Sequence, residues 1–213
     1  VADSMESTAR RIRPVNITPI ETTIRHGSEG TVYLTSPQRL GPYPDRITDR
    51  LGHWAREAPS RVFLAQRDLT GGWRTLTYAD AFNSVGRISQ SLLNRRLSPE
   101  RPILILSGNG IDHALLALAA MHVGVPYAPI ARAYSLQARD YGTLQQIFQR
   151  LRPGLVFAAQ GAAFERALSQ VLPPGVELVV STSSPATIAA TPFRELLALP
   201  ETGAVDDARR LVG

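Results

Sequence analysis

Cysteine and lysine are both missing from this 213-residue chain. Without cysteine there can be no disulfide, no thiolate metal ligand and no cysteine nucleophile. Without lysine, all 23 basic residues are arginine, although lysine is ordinarily among the commonest residues. That excludes a Walker-type phosphate lysine, a Schiff-base lysine and a general-base lysine from this stretch of protein. Long apolar runs are missing too: none approaches the ~18 consecutive apolar residues of a membrane helix. The opening VADSMESTARRIRP has no apolar centre of the kind a signal peptide carries. A cytoplasmic location, with no membrane partner, is the expectation.

Charge is scarce in either direction, at 19% of residues, with a formal net charge of +5. The arginines are scattered, and Arg10, Arg11 and Arg13 form the only dense cluster. A solvated basic face is therefore favoured over a nucleic-acid surface. The four histidines, at 26, 53, 113 and 122, are too dispersed to pair as metal ligands. On one helix, His113 and His122 would lie about 180° apart at ~100° per residue. Asp45 and Asp49 stand four apart at a helix start, where favourable interaction with the helix dipole explains them. Asp206-Asp207 reads as part of a polar tail.

What is present is a globular composition, 44% apolar, in a chain long enough for one ordinary domain. Residues 1–44 read as an irregular arm, with one hairpin where IETTIRHG and TVYLTS alternate around Gly27 and Gly30. Residues 45–213 read as the main domain. Ile47, Leu51, Trp54 and Ala55 predict a helix ending before Pro59. RVFLAQRD and WRTLTY, turned by Gly71-Gly72, predict a second hairpin. Thr77 with Asp80 resembles a capping box opening a helix with Phe82, Val85, Ile88 and Leu92 along one stripe.

From residue 101 the alternation is regular. PILILSG, VPYAPI, GLVFAAQ and VELVVST read as strands, separated by apolar or amphipathic helical segments. Strand–helix–strand repeated with short connections predicts an α/β fold built on a mostly parallel, doubly wound sheet. The run SGNG at 107–110 sits between a strand and a helix, where ligands approach such sheets. It does not complete a dinucleotide fingerprint, since position 113 is His113. A tight turn with Asn109 capping the helix is the favoured reading, and a contact with a bound nucleotide or thiol arm is the other.

Two stretches carry a family likeness. LTYADA at 76–81 resembles the first core motif of adenylate-forming enzymes, and AAMHVGVPYAPI at 119–130 resembles the second. The segments around them, including LGPYPDRITDRLGHWAREAPSRVFLAQRD, are similar to bacterial feruloyl-CoA synthetases over nearly the whole chain. The resemblance implies the amino-terminal subdomain of an acyl-CoA synthetase. It also implies a reaction in which a small-molecule carboxylic acid, ferulate or a related hydroxycinnamate, is joined to coenzyme A using ATP and Mg²⁺ through an acyl-adenylate. Ligation of another aryl or fatty acid remains open, as does a non-catalytic interaction domain with an exposed apolar face. Oligomeric state is left open as well.

The same likeness implies a glycine- and serine/threonine-rich phosphate loop with a lysine, and neither is in the sequence. Such a loop would follow a segment like AVDDARRLVG, so the chain is expected to hold only the part before it. No catalytic residue and no bound ATP, Mg²⁺ or coenzyme A are therefore expected here. One departure lies inside the likeness: where relatives have Ser-Pro, this sequence has Ala131-Arg132. The equivalent loop in related synthetases lies near the coenzyme A nucleotide, which makes Arg132, Ala133 and Tyr134 the candidate binding residues. An arginine there could pair with a phosphate, although a solvated loop arginine over a packed tyrosine is the plainer reading.

Overall fold

The computed structural model describes residues 21–68 and 70–212. The chain divides into two compact units, Val1–Tyr43 and Pro44–Gly213. The Arg10, Arg11 and Arg13 cluster lies outside the described residues.

In the first unit, strands β1 (Thr23–His26) and β2 (Val32–Thr35) pair antiparallel, with Thr23 opposite Thr35. A short 3-10 turn, Ser28–Gly30, joins them, with Glu29 and Gly30 both at positive φ (59° and 76°). The Arg25 guanidinium lies over the Tyr33 ring at 4.0 Å.

The second unit begins with helix α1 (Ile47–Glu57), closed by Ala58 N–H donating to the Trp54 carbonyl just ahead of Pro59. Strands β3 (Val62–Arg67) and β4 (Trp73–Thr77) then form an antiparallel hairpin. Its turn is built on Asp68, whose Oδ1 accepts from the Thr70 and Gly72 N–H groups (2.8 and 2.9 Å), with Gly71 at φ 86°. Helix α2 (Tyr78–Asn94) opens at Thr77, whose hydroxyl accepts from Asp80 N–H (3.2 Å) and donates to the Asp80 carboxylate (2.6 Å). Aspartate is a carbon shorter than the glutamate of a capping box, and here its carboxylate returns to the threonine hydroxyl.

The alternating half runs β5 (Ile103–Leu106), α3 (Ile111–His122), β6 (Tyr127–Pro129), α4 (Ala133–Leu136), α5 (Gly142–Leu151), β7 (Leu155–Gln160), α6 (Gly161–Val171) and β8 (Glu177–Thr182), as expected except for the short α4, which falls in what reads as a loop. The sheet order is β6-β5-β7-β8-β9, parallel throughout. The fifth strand, β9 (Thr191–Pro192), was not foreseen; two residues carry no alternation to read. A 3-10 helix (Phe193–Leu197) and helix α7 (Gly203–Arg210) complete the unit. The sequence reading of Asp206-Asp207 as a polar tail is corrected: both lie in α7, beside the fully buried Val205.

The all-apolar β5 is explained by the two cores. Ile103 and Ile105 join Leu155, Phe157 and Val179 in a core with α2 and α3. Leu104 and Leu106 join Val156, Ala158, Leu178 and Val180 against α5 and α6. A strand buried on both faces has no polar register to show. Two glycines are fixed by geometry. Gly124, at φ 71°, ends α3 as Val125 N–H closes on the Ala120 carbonyl (2.9 Å). At Gly161 a Cβ would fall 2.7 Å from both Val180 Cγ1 and Pro185 Cδ, so α6 can start against β8 only without a side chain.

Candidate functional site

From β5 the chain crosses one way, through α3 to β6, and then returns so that β7 lies on the other side of β5. Where neighbouring connections leave a parallel sheet in opposite directions, a crevice opens outside the carboxyl ends of the strands. A cleft of about 460 Å³ occupies that position. Its floor is the SGNG loop after β5. One wall is Ala159, Gln160, Ser181 and Thr182 at the ends of β7 and β8. The opposite wall is Gln66, Arg67 and Asp68 of the β3–β4 hairpin, with Arg74.

The SGNG loop is held from several sides. Ser107 Oγ donates to the Gly108 carbonyl (2.7 Å), and His113 Nδ1 lies 3.1 Å from the same oxygen. The start of α3 is capped by Gln66, whose Oε1 accepts from Ile111 N–H (2.9 Å). Asn109, expected to cap this helix, does not: the cap position is Gly110, with no side-chain bond of its own. The physical reason is that β3 passes close enough for its glutamine to take the orphan N–H first.

Three arginines and two aspartates line the cleft, leaving an excess of one positive charge (3 − 2). Arg74 pairs with Asp112 (3.0 Å). Arg67 donates to the Gly71 carbonyl (2.7 Å) and lies 4.5 Å over the Trp73 ring. Asp68 is held below the usual carboxylate range by the Thr70 hydroxyl and the turn N–H groups, so it stays charged. Among the described residues the Arg132 guanidinium has neither an ion pair nor a hydrogen bond. It lies beside Gly108, its NH1 3.6 Å from where a Cβ there would stand. Ser181 Oγ is shut off from solvent and also lacks a hydrogen-bond partner.

The three residues marked from the sequence therefore separate. Arg132 lines the cleft, whereas Ala133 and Tyr134 do not. Tyr134, the second residue of the short α4, is exposed, not the packed tyrosine expected. Gln66, Gln160 and Ser181 were missed; the last two could have been found as polar residues at the carboxyl ends of apolar strands. Only folding brings Gln66 to the cleft.

A second cavity, about 370 Å³, adjoins the first along Gln66, Asn109, Gly110 and His113. Its remaining walls are apolar apart from backbone: Leu64 and Ala65 of β3, and Ile111, Ala114 and Ala117 of α3. Among the described residues no three His, Cys, Asp or Glu side chains converge as a metal-binding group. No helix among them is long and apolar enough to cross a membrane.

A chain described as a long-chain-fatty-acid CoA ligase from Rhodopseudomonas palustris superposes with TM-score 0.60 at 20% identity, covering 74% of this chain and 37% of that one. A benzoate CoA ligase from Burkholderia xenovorans gives 0.56 at 19% identity, covering 73% and 29%. At such identities the likeness is one of fold. A PKS-NRPS hybrid synthetase of Aspergillus fumigatus is 32% identical over 130 residues, which are 60% of this chain and 3% of that protein. The chain thus spans about a third of these solved neighbours and a small part of the synthetase. Residues 51–208, from α1 to α7, match the AMP-binding enzyme family, and the chain belongs to that family.

Proposed function

We propose that this chain is the amino-terminal portion of an ATP-dependent carboxylic acid:CoA ligase that acts on ferulate or a related hydroxycinnamate. The observation that carries the reading is the match to AMP-binding enzymes over 51–208, joined to a basic cleft at the carboxyl edge of the sheet. In the reaction a carboxylate oxygen attacks the α-phosphate of ATP, and the bond to the departing pyrophosphate breaks. The coenzyme A sulfur then attacks the acyl carbonyl of the adenylate and expels AMP. The side chains on this portion supply a scaffold and, among the described residues that line the cleft, one arginine with neither an ion pair nor a hydrogen bond. Arg132, with a planar fork suited to phosphate, contacts the coenzyme A nucleotide and takes no part in adenylate formation.

The neighbours described as ligases of benzoate and of long-chain fatty acids favour a second reading, in which the acid is another aryl or fatty acid. A shared fold does not set the substrate. The test uses the protein that contains this chain, with ATP, coenzyme A and either ferulate, benzoate or octanoate. Thioester formation with the highest kcat/KM for ferulate is expected. Preference for benzoate or octanoate selects the second reading, and no thioester from any acid overturns the ligase reading. Arg132→Ala is expected to raise the KM for coenzyme A about tenfold, the loss of one charge-assisted hydrogen bond, while acid-dependent pyrophosphate exchange stays unchanged.

A further inference from the structure

Residues that stand opposite each other in an antiparallel hairpin share one face. Gln66 of β3 stands opposite Arg74 of β4, and the two take hold of consecutive residues at the start of α3. Gln66 Oε1 accepts from the Ile111 N–H at 2.9 Å, and the Arg74 guanidinium meets the Asp112 carboxylate at 3.0 Å. The next residue, His113, has its Nδ1 3.1 Å from the Gly108 carbonyl oxygen. Ser107 also donates to that oxygen, but as the adjacent residue it ties the loop to nothing beyond itself. His113 is therefore the side chain that joins the loop to the helix, and Arg132 NH1 lies 3.6 Å from where a Cβ on Gly108 would stand. We propose that Gln66, assisted by Arg74, is a positioning residue: the hairpin fixes the start of α3 and, through His113 and Gly108, the place of the SGNG loop beside Arg132.

A helix start leaves backbone N–H groups without partners, and a cap from the preceding residue would travel with the helix. Here the residue at the cap position, Gly110, brings no side-chain bond, and the acceptor comes from 45 residues away. A Cβ on Gly110 would fall 3.3 Å from Gln66 Oε1, so glycine leaves room for this distant cap. The placement of α3 thereby depends on the hairpin, whose register cannot slip by one residue without turning both side chains to its other face. The Arg74 side chain is 54% exposed, so its ion pair contributes little by itself. The larger share falls to Gln66, whose bond to the Ile111 N–H is partly buried. Without that acceptor the N–H is orphaned, the first turn of α3 loosens, and His113 no longer holds the Gly108 carbonyl in place. The effect on the reaction falls on the step that Arg132 serves, which rests on the reading of Arg132 as a contact of the coenzyme A nucleotide.

The first measurement uses the protein that contains this chain, with ferulate, ATP and coenzyme A. Gln66→Leu keeps the bulk and removes the acceptor, and it should raise the coenzyme A KM by about threefold or more. Combined with Arg132→Ala, it should raise that KM no further than Arg132→Ala alone, because the two act through one contact. Arg74→Lys, which keeps the ion pair, should stay within about twofold of the native KM. A merely structural role lowers kcat by reducing the number of folded molecules and leaves KM alone. An unchanged KM in Gln66→Leu overturns the proposal, as do additive effects at 66 and 132. The second measurement is amide hydrogen exchange on the 213-residue chain. Gln66→Leu should speed exchange about tenfold across 108–113 and leave β7 at 155–160 unaltered. No change at 108–113, or an equal change in both segments, overturns the proposal. A native protein that makes no thioester overturns the ligase reading instead, and the exchange result then decides by itself whether the hairpin positions the loop.

Discussion

His122, at the last turn of α3, shows how one side chain can differ from its neighbour nine residues earlier. His113 lines the cleft, whereas His122 is 2% exposed, with its ring edge-on to Phe82 at 6.3 Å. Its Nδ1 has no hydrogen-bond partner. Burial first and the nearby Arg209 second lower its pKa to about 4, against upward pulls from Asp206 and Asp49, with Arg46 adding the least. The unfolded imidazole titrates near 6.5. Between those values the unfolded chain binds more protons than the folded one, so the stability from a neutral His122 is present above pH 6.5 and lost as pH falls to about 4. Urea midpoints at pH 7, 5.5 and 4.5 should therefore fall more steeply for the native chain than for His122→Leu. Equal slopes would show that the histidine does not set this dependence. That the two histidines lie on different faces was legible from their spacing. Which face meets a cleft and which a core was not, because that depends on what packs against α3.

At the scale of elements, α7 is the clearest case of a segment whose environment decides its structure. Thr202 caps it by accepting from Ala204 N–H (3.3 Å), while the same hydroxyl donates to Gln90 of α2 (2.6 Å). Arg209 then bonds Asp49 of α1 at 2.6 Å, and Arg46 Nε donates to the Val212 carbonyl. Asp49 is held below the usual carboxylate range chiefly by the Arg209 hydrogen bond, so its contribution is present above pH 3.8 and fades as pH falls further. Asp49→Asn is expected to speed amide exchange across 203–210 while lowering global stability by only about 1 kcal/mol or less, since both partners are partly exposed. Unchanged exchange would mean that Val205 burial alone docks the helix. Read from sequence, the carboxylates at 45 and 49 were a helix-dipole feature, and the arginine 160 residues later was not visible as a partner. The strand–helix alternation from 101 onward was legible because apolar runs and amphipathic stripes are local patterns. β9, two residues at the sheet edge, is a strand only because β8 lies beside it.

For the whole molecule, the lysine-free composition has a chemical consequence that folding does not alter. Activating a phosphorus centre needs preorganised positive charge and N–H donors, and losing even one such donor typically costs ~10²–10³ in rate. The sequence contains neither a lysine nor a glycine- and serine/threonine-rich phosphate loop. The purified 213-residue chain is therefore expected to show no ferulate-dependent pyrophosphate exchange above background; measurable exchange would mean that the cleft arginines can do the work of such a loop. By itself the sequence determined the excluded chemistries, the parallel α/β architecture, both hairpins and the position of the SGNG loop at a strand's carboxyl end. All of these follow from residue types and from periodicities within a few turns of chain. Tertiary structure alone decided that Gln66 caps α3, that Arg132 faces the cleft while Tyr134 faces away, and that an apolar cavity opens beside a basic one. Those outcomes depend on which distant elements the sheet order brings together, and no local pattern encodes a contact made 45 residues away.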